Sequence, residues 1–326
     1  MKTVLVTGSA GFIGMHTSIK FLKEGYRVIG VDNLNSYTSL KMKKKRLYEI
    51  QDFNKKNKSE WYFIKSDLND ENLWNKLRKY KISKVIHLAA QAGVRYSIMN
   101  PELYLKSNIS AFQKLINFVI ENEIKTFIYA SSSSVYGKNS KSPFTENEKC
   151  VEPESYYAAT KRFNELMTLS YYKTHNLNSI GLRFFTVYGP WGRPDMAAYM
   201  FIDSCFNNNN IKLFNHGKQT RDFTYIDDIV QGIYLISINT KINQGNHIFN
   251  IGRGKPEKLI DFVSEIEIAC GKKLNIDYKP HQKGDVVNTH CSVNKLKSTI
   301  KYWEFTTLSV GINNMVKWYI SYHKSK

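Results

Sequence analysis

The chain has 326 residues, of which 42% are hydrophobic and 13% aromatic, and this is enough for one large or two modest domains with a sizeable core. No run of 18 apolar residues occurs, a strand pattern begins at once, and the four cysteines include no CxxC pair. We therefore expect no membrane partner, no signal peptide, no metal site and a reduced, cytoplasmic protein. The net charge is +19, but the lysines are widely spread without a nucleic-acid-binding motif, so we expect a solvated basic surface and no nucleic-acid partner.

A glycine-rich turn is the first feature along the chain. It lies between an apolar predicted strand, Thr3–Thr7, and a predicted helix, Phe12–Glu24. Gly8 permits the tight turn, Gly11 lets the backbone approach a pyrophosphate, and Gly14 lets the helix lie on the strand. The N–H groups and the positive dipole end of the helix then favour phosphate binding. An ordinary glycine-rich loop is the alternative, and the next strand argues against it.

That second predicted strand, Arg27–Asp32, ends in an acidic residue. Asp32 follows Gly14 by 18 residues, which is near the spacing of a carboxylate that binds the adenosine ribose hydroxyls. A carboxylate there would repel a 2′-phosphate, so the sequence favours NAD over NADP. The lysine-rich stretch that follows, residues 33–60, is weakly periodic and is predicted to be a partly helical excursion.

Apolar runs and amphipathic stretches then alternate along the first half of the chain. The predicted strands are Thr3–Thr7, Arg27–Asp32, Trp61–Lys65, Lys84–Leu88, Thr126–Ser131 and Ser179–Arg183. The predicted helices are Phe12–Glu24, Asn69–Lys79, Pro101–Asn122 and Tyr156–Thr174. This alternation predicts an α/β fold with a Rossmann-type, doubly wound parallel sheet, which binds ligands beyond the carboxyl ends of its strands.

The alternation loosens after Phe184. We take residues 1–180, with a returning segment near 219–247, as a cofactor-binding domain. A smaller mixed α/β lobe for the substrate is predicted over residues 181–326, mainly 181–218 and 248–326.

A tyrosine and a lysine form the second strong signal. Tyr157 and Lys161 are four residues apart on a predicted helix and therefore share one face. The ammonium, with the positive charge of an oxidised nicotinamide, would stabilise a phenolate that removes a proton from a substrate hydroxyl as hydride leaves the same carbon. Ser132, in a run of four serines after a predicted strand, could bond the same oxygen. Tyr-x-x-x-Lys is common by chance and the serines could be a polar connection, but the glycine turn upstream favours catalysis.

Several motifs together identify a family. They are TGSAGFIG at 7–14, DNLN at 32–35, HLAAQAGVR at 87–95, SSSSVYG at 131–137, YYAATK at 156–161, RFFTVYGPWGRPDMA at 183–197 and RDFTYIDD at 221–228. With them the sequence resembles the extended short-chain dehydrogenase/reductase family, specifically the nucleoside-diphosphate-sugar epimerases. It is most similar to UDP-glucuronate 4-epimerases, whose pattern includes the AGVRYS and WGRPDMA segments.

The resemblance implies a reaction and a set of cofactor contacts. Tyr157 would deprotonate the 4-hydroxyl of a UDP-sugar while NAD takes the C4 hydride, and the 4-keto sugar would turn and receive the hydride on its other face. Ser132 and Lys161 complete the implied catalytic group. The implied NAD contacts are Gly8, Gly11, Phe12, Ile13, Gly14, Asp32, Asn33, Asn35, Asp67, Leu68, Leu88, Ala89, Ala90, Asn108, Tyr157, Lys161 and Phe185.

The substrate contacts that the resemblance implies are Arg95, Ser132, Ser133, Ser134, Thr186, Arg193, Arg221, Gln282 and Asp285. Arg221 and Asp285 would meet the diphosphate and the uridine ribose. Gln282 stands where many galactose-type epimerases have an arginine, which puts one phosphate contact in question. Hydroxyls at 133, 134 and 186 suit a uronate carboxylate, and Arg193 could add a charge-assisted bond or could pair with Asp195. Arg95 could equally be a surface residue, and Asp285 a turn residue.

The serine run also separates the reactions of the family. Sugar 4,6-dehydratases carry Asp-Glu where this chain has Ser133-Ser134, and UDP-glucuronate decarboxylases typically carry Glu at the position of Ser134. We therefore expect a 4-epimerase of UDP-glucuronate and UDP-galacturonate. A 4-epimerase of UDP-glucose or its N-acetylated relatives stays open, as does a non-catalytic NAD-binding scaffold. Relatives commonly dimerise through two helices, so a homodimer is expected, with a product that enters polysaccharide biosynthesis.

Overall fold

The computed structural model describes residues 1–138, 140–242, 244–280, 288–301 and 303–324. The strands are β1 (Thr3–Thr7), β2 (Arg27–Asp32), β3 (Trp61–Lys65), β4 (Ile82–His87), β5 (Thr126–Ser132), β6 (Ser179–Phe184), β7 (Thr186–Tyr188), β8 (Asn210–Phe214), β9 (Thr220–Arg221), β10 (Phe223–Tyr225), β11 (Asn246–Ile251), β12 (Glu257–Lys258) and β13 (Asn275–Lys279). The α-helices are α1 (Phe12–Lys23), α2 (Leu40–Asn57), α3 (Glu71–Leu77), α4 (Val94–Met99), α5 (Pro101–Tyr104), α6 (Ala111–Glu121), α7 (Tyr156–His175), α8 (Ala197–Asn207), α9 (Ile226–Ile238), α10 (Leu259–Cys270), α11 (Asn294–Thr299) and α12 (Leu308–Lys324).

Within the described residues, the largest sheet has seven parallel strands. Their order is β11-β6-β5-β4-β1-β2-β3. The chain winds outward from β1 in both directions, with β2 on one side and β4 on the other. Such a reversal of strand order leaves a crevice at the carboxyl ends of the strands. The predicted α/β, doubly wound parallel sheet is confirmed.

Successive side chains of β1 point to opposite faces of this sheet. Val4 and Val6 belong to a core that includes Phe21 of α1, whereas Leu5 belongs to a second core that includes Leu115 of α6. Because helices cover both faces, the strand reads as a continuous apolar run.

The predicted element bounds hold best near the N-terminus. The bounds of β1, β2 and β3 are those predicted. The helix predicted over Pro101–Asn122 is instead α5 and α6 joined by a π-helical turn, Leu105–Ser110. The predicted excursion after β2 contains α2, which begins where the Ser39 side chain accepts a hydrogen bond from the Met42 N–H.

The second half of the described chain adds three two-stranded sheets, which pair β7 with β10, β8 with β13 and β9 with β12. Buried Asp222, between β9 and β10, holds the segment before β12 close to them, because its carboxylate accepts the N–H groups of Arg253, Gly254 and Cys291 and the Thr224 hydroxyl. Strands β6 and β11 lie in the seven-stranded sheet, so that sheet includes residues on both sides of the predicted boundaries at 180 and 247.

Among the described residues, no helix combines the length and apolar character of a bilayer span. The same residues contain no group of three His, Cys, Asp or Glu side chains able to hold a metal ion. The four cysteines are free thiols.

Candidate active site

A cavity opens where β1, β2, β4 and β5 end. The predicted site residues that line it are Gly8, Gly11, Phe12, Ile13, Gly14, Asp32, Asn33, Asn35, Asp67, Leu68, Leu88, Ala89, Ala90 and Arg193. The lining residues that were not predicted are Val31, Tyr37, Thr38, Lys43, Arg46, Ser66, Ala92, Ser107, Ala111 and Ala130. The crevice that the fold predicts is therefore lined by most of the predicted cofactor contacts.

The glycine loop has a shape that only glycine allows. Gly8 has φ +72°, and a Cβ there would lie 2.7 Å from the Ala89 nitrogen. A Cβ on Gly14 would lie 2.0 Å from the Gly8 carbonyl oxygen, which is closer than any real contact. Helix α1 begins at Phe12 with no acidic residue in its first turn, so its free N–H groups suit an anion. The loop therefore fits the pyrophosphate of a dinucleotide.

The two carboxylates that are predicted to bind the adenosine both line the cavity. Asp32 accepts hydrogen bonds from the Ala10 N–H at 3.2 Å and the Leu34 N–H at 2.8 Å, which fixes its carboxylate at the end of β2. Asp67 accepts a bond from the Asn33 amide at 2.9 Å. Although burial opposes it, this bond and those from Asn69 lower the pKa of Asp67. Both carboxylates are positioned as hydrogen-bond acceptors, as binding of ribose hydroxyls and an adenine amine requires.

The predicted catalytic residues Ser132, Tyr157 and Lys161 are not among the residues that line the cavity, but Tyr157 and Lys161 interact with the lining residues Arg193 and Ala130. Tyr157 lies at the start of α7, which the Ser155 side chain caps. The Ser132 side chain lies near enough to lower the pKa of Tyr157, and its hydroxyl donates to the Ser134 hydroxyl at 3.1 Å. Lys161 is buried and donates to the Ala130 carbonyl oxygen at 2.9 Å.

Burial dominates the titration of both Tyr157 and Lys161. It raises the pKa of Tyr157, although the Ser132 side chain and the charge of Arg193 oppose the rise. Burial also lowers the pKa of Lys161 to about 8. Before a cofactor adds its charge, Tyr157 is therefore a neutral phenol at pH 7, and Lys161 is mostly an ammonium.

A buried ion pair between Arg183 and Glu165 is hydrogen-bonded to the first serine of the run. Ser131 donates to the Glu165 carboxylate at 2.6 Å, and Arg183 donates to the same carboxylate through two bonds of 2.8 Å. Glu165 lies one helical turn after Lys161. This network fixes the residue next to Ser132 against the helix that carries Tyr157 and Lys161.

Two predicted cofactor residues have other packing partners. The Asn108 side chain accepts from the Gln91 N–H at 2.8 Å and donates to the Gln91 carbonyl and the Thr160 hydroxyl at 3.0 Å. It thus braces the loop after β4 against α7, while its neighbour Ser107 lines the cavity. Phe185 packs in a small core with Tyr136 and other apolar side chains. The NAD contacts of Asn108 and Phe185 stay predictions.

Arg193 reaches the cavity from the loop between β7 and α8. It donates to the Asp195 carboxylate at 3.0 Å and to the Tyr37 hydroxyl at 3.1 Å. Its charge also acts on Tyr157. The sequence left open whether Arg193 binds a substrate carboxylate or pairs with Asp195. The structure shows the pair with Asp195, and the carboxylate contact stays a prediction.

The other predicted substrate residues lie near this end or in the second half of the chain. Ser134 donates its N–H to the Ser132 hydroxyl at 3.1 Å, with Ser133 between them. Thr186 begins β7 and donates its N–H to the Asp222 carbonyl at 3.1 Å.

Two predicted arginines engage in other contacts. The exposed Arg95 guanidinium lies 5.9 Å from the centre of the Phe214 ring, and Arg221 donates to the Thr220 carbonyl at 2.9 Å. Gln282 and Asp285 lie outside the described residues.

Sequence reasoning missed Tyr37, Lys43 and Arg46, which lie in the stretch that was predicted to be an excursion. A weak signal existed. Lys43, Arg46 and Ile50 recur at helical spacing, and all three are buried on one face of α2. Because two of the three are basic, a hydrophobicity pattern assigns that face to solvent.

Comparison with known proteins gives the family. A family model described as the NAD dependent epimerase/dehydratase family matches residues 4–252. The chain is 42% identical to protein CapI of Staphylococcus aureus, over 98% of this chain and 99% of that protein. It is 40% identical to UDP-glucuronate 4-epimerase 4 of Arabidopsis thaliana, over 98% of this chain and 76% of that protein.

Solved structures agree with this family. A UDP-glucuronic acid 4-epimerase from Bacillus cereus, in complex with UDP-glucuronic acid and NAD, superposes with a TM-score of 0.90 at 31% identity, covering 98% of this chain and 99% of that one. A UDP-N-acetylglucosamine 4-epimerase from Methanobrevibacter ruminantium, in complex with UDP-N-acetylmuramic acid, has a TM-score of 0.87 at 29% identity, over 98% and 99%.

The chain belongs to the NAD dependent epimerase/dehydratase family, whose motifs are those of the extended short-chain dehydrogenase/reductases. It is an NAD-dependent epimerase, an isomerase, and NAD is its cofactor. The predicted family, class of enzyme and cofactor are confirmed.

Proposed function

We propose that this enzyme interconverts UDP-glucuronate and UDP-galacturonate by inverting C4 of the sugar. The observation that carries the proposal is that Arg193 lines the cavity and lies near enough to Tyr157, the predicted base, for its charge to act on the phenol. In a hexuronate the carboxylate is attached to C5, next to the reacting carbon. A guanidinium beside the catalytic hydroxyl is a matching donor for it.

The chain's own residues would carry the proton chemistry. Tyr157 takes the proton of the C4 hydroxyl, and Ser132 holds the same oxygen. The Lys161 ammonium stabilises the phenolate form of Tyr157 that this step requires. Bound NAD supplies a reversible hydride acceptor for C4. When the C4 oxygen is reprotonated, Tyr157 returns the proton and recovers its starting state.

The serine run and Arg193 would also protect the intermediate. A 4-keto uronate is a β-keto acid, which loses CO₂ when the bond to the carboxyl carbon aligns with the carbonyl π system. The Arg193 guanidinium and the hydroxyls of Ser133 and Thr186 would hold the carboxylate out of that alignment. Ser134 offers a hydroxyl where the decarboxylases carry a glutamate, and this favours epimerisation.

A 4-epimerase of UDP-glucose or UDP-N-acetylglucosamine is the second candidate. The Arg193–Asp195 pair favours it, because a neutral hexose would leave that ion pair intact. A non-catalytic NAD-binding scaffold is the candidate from another class, and it would need none of Ser132, Tyr157 and Lys161.

Separate incubations with UDP-glucuronate, UDP-glucose and UDP-N-acetylglucosamine, followed by proton NMR, test the substrate. We expect UDP-galacturonate from the first and little turnover of the others. A UDP-pentose would indicate decarboxylation, and faster turnover of a neutral sugar would establish the second candidate.

Arg193→Ala sharpens that test. Loss of a bond to a charged group should lower kcat/KM for UDP-glucuronate by about 10- to 100-fold and for UDP-glucose by much less. Arg78→Ala is the matched control, because Arg78 pairs with exposed Glu121 on the surface. Equal losses on both sugars in Arg193→Ala would remove Arg193 from carboxylate recognition.

We further propose the two-lobe organisation expected from the sequence and a cytoplasmic homodimer whose product enters polysaccharide biosynthesis. Helices α4 and α7 pack together and expose apolar side chains, including Ile98, Met99, Phe163 and Leu166. Such a face suits a second copy of the chain. Leu166→Glu should give a monomer by light scattering, whereas the same change at exposed Ile268 of α10 should not. A wild-type monomer would contradict the proposal.

A further inference from the structure

The loop before Arg193 is fastened to the cofactor half of the chain at successive carbonyl groups. His16 of α1 bonds the Pro190 carbonyl oxygen at 3.0 Å. Arg46 of α2 donates to the Trp191 carbonyl oxygen at 2.6 and 3.1 Å and, more weakly, to the Gly192 carbonyl oxygen at 3.4 Å. The three carbonyls that precede Arg193 are thus all held by side chains from distant helices.

The loop needs these distant bonds because its own backbone is strained. Trp191 has φ +63°, a left-handed conformation that is unfavourable for a bulky residue. Within the loop, a backbone hydrogen bond from the Gly192 N–H to the Gly189 carbonyl oxygen closes the turn. The direction in which Arg193 leaves the loop therefore depends on groups outside it.

Arg46 also reaches the glycine loop. Its side chain is buried, and it donates to the Ala10 carbonyl oxygen at 3.2 Å. One guanidinium therefore spans the loop that holds the cofactor phosphates and the loop that carries Arg193. Its planar fork of donors suits this task, because a lysine offers a single nitrogen.

The contact is not a direct one between the two arginines. Their charges repel each other, so Arg46 acts on Arg193 through the backbone of Trp191 and Gly192. Among the described residues, no carboxylate forms an ion pair with Arg46. A buried cation bonded to carbonyl oxygens is costly to maintain, which is consistent with a role in fixing geometry.

We propose that Arg46 is a positioning residue for the reaction: it holds the 189–192 loop against the glycine loop so that Arg193 points at the reacting end of the substrate. The proposal rests on the proposed function in one respect, since it takes Arg193 as the group that binds the sugar.

A double-mutant cycle between positions 46 and 193 tests the proposal. Arg46→Lys, Arg193→Ala and the double variant are assayed for kcat/KM on UDP-glucuronate and UDP-glucose, with bound NAD and the unfolding temperature measured alongside. We expect Arg46→Lys to lower kcat/KM for UDP-glucuronate by about tenfold, because small misplacements of a binding group reduce turnover strongly. In the Arg193→Ala background the same change should have less than about a twofold effect, since its target is gone.

The opposite outcome is an equal loss from Arg46→Lys in both backgrounds, which would overturn the positioning role. A failure of the proposed function gives a different result: Arg193→Ala then lowers kcat/KM for both sugars equally. The cycle would then still be decided on whichever sugar is turned over.

Two further variants secure the result. If Arg46→Lys does not fold, His16→Phe removes only the bond to Pro190. Its smaller loss should also vanish in the Arg193→Ala background, and persistence of the loss there would count against the proposal. Lys45→Ala is the matched control, because Lys45 lies next to Arg46 on α2 and faces the Tyr322 ring. A Lys45→Ala loss that also depends on Arg193 would overturn the assignment to Arg46.

Discussion

Two loops face the cavity, and they reach their conformations in different ways. The glycine loop, residues 8–14, uses positive φ at Gly8, where no side chain opposes it. The loop of residues 189–195 places a tryptophan at φ +63° and depends on Arg46, 145 residues away, and on His16, 174 residues away. A conformation encoded by local residues can be read from a motif, whereas one imposed by distant side chains cannot.

Tyr157→Phe should have the largest effect on function, because both loops serve the hydroxyl that it removes. Loss of the general base should lower kcat by about 100-fold or more, with bound NAD and the unfolding temperature unchanged. Initial rates with UDP-glucuronate, beside the NAD absorbance of the purified protein, measure it. Tyr156→Phe, at the exposed neighbouring position, is the control. If Tyr157→Phe retains more than about a tenth of the activity, Tyr157 is not the general base, and neither loop serves its hydroxyl.

The glycine loop, whose conformation is encoded locally, can be tested by comparing alanine substitutions at two glycines with similar φ. Gly8 and Gly25 have φ of +72° and +76°, but a Cβ at Gly25 meets nothing within 4 Å, whereas one at Gly8 meets the Ala89 backbone. Both alanine variants should lose about 1 kcal/mol of unfolding free energy to backbone strain, and Gly8→Ala should lose more, because its Cβ would also clash with the Ala89 backbone. Only Gly8→Ala should also lose NAD, by about tenfold or more in Kd, measured with NADH fluorescence. Equal NAD affinity in the two variants would show that the close packing of Gly8 is not what holds the cofactor.

The loop of residues 189–195, which distant side chains hold, can be tested through the pH dependence of stability that His16 contributes. Burial lowers the pKa of His16 from 6.5 to about 4, and the charges of Arg46 and Lys23 add to this, although the Pro190 bond opposes it. Between pH 6.5 and 4 the unfolded chain therefore binds this proton before the folded chain does. Stability from this group is present above pH 6.5 and is lost as pH falls toward 4, by up to about 3 kcal/mol.

His16→Gln isolates that contribution, since glutamine keeps an amide donor without a titrating ring. Denaturant unfolding of both proteins at pH 7, 5.5 and 4 should show the smaller decline in the variant. His87, whose pKa burial lowers to about 3, is present in both proteins and does not affect the difference. Parallel declines would mean that His16 does not bond Pro190 as a neutral, buried ring.

The sequence predicted the parts of the site whose causes are local. The strands that begin the sheet were placed to the residue, and the glycine loop and Asp32 were predicted from their spacing. The Tyr157–Lys161 pair was predicted from its helical spacing together with the glycine turn upstream. Their positions depend on period and turn chemistry, which the local sequence carries.

The parts that were missed depend on tertiary contacts. Tyr37, Lys43 and Arg46 belong to a lysine-rich stretch that resembles a solvated surface. Tyr37 and Arg46 have partners in the second half of the chain, and Lys43 donates to Asn35 and pairs with Asp32 at the end of β2. The π-helical turn at Leu105–Ser110 likewise has no signal that separates it from the helices on either side. The packing of Asn108 between Gln91 and Thr160 could be found only once the sheet had brought α7 beside the loop after β4.

The measurement that bears most directly on the central claim is proton NMR of UDP-glucuronate incubated with the enzyme in D₂O. If Tyr157 removes only the hydroxyl proton while C4 gives up and regains its own hydrogen as hydride, UDP-galacturonate should accumulate with protium retained at C4 in both epimers. Entry of deuterium at C4 would show that a base removes the carbon-bound hydrogen as a proton, and this would contradict the account.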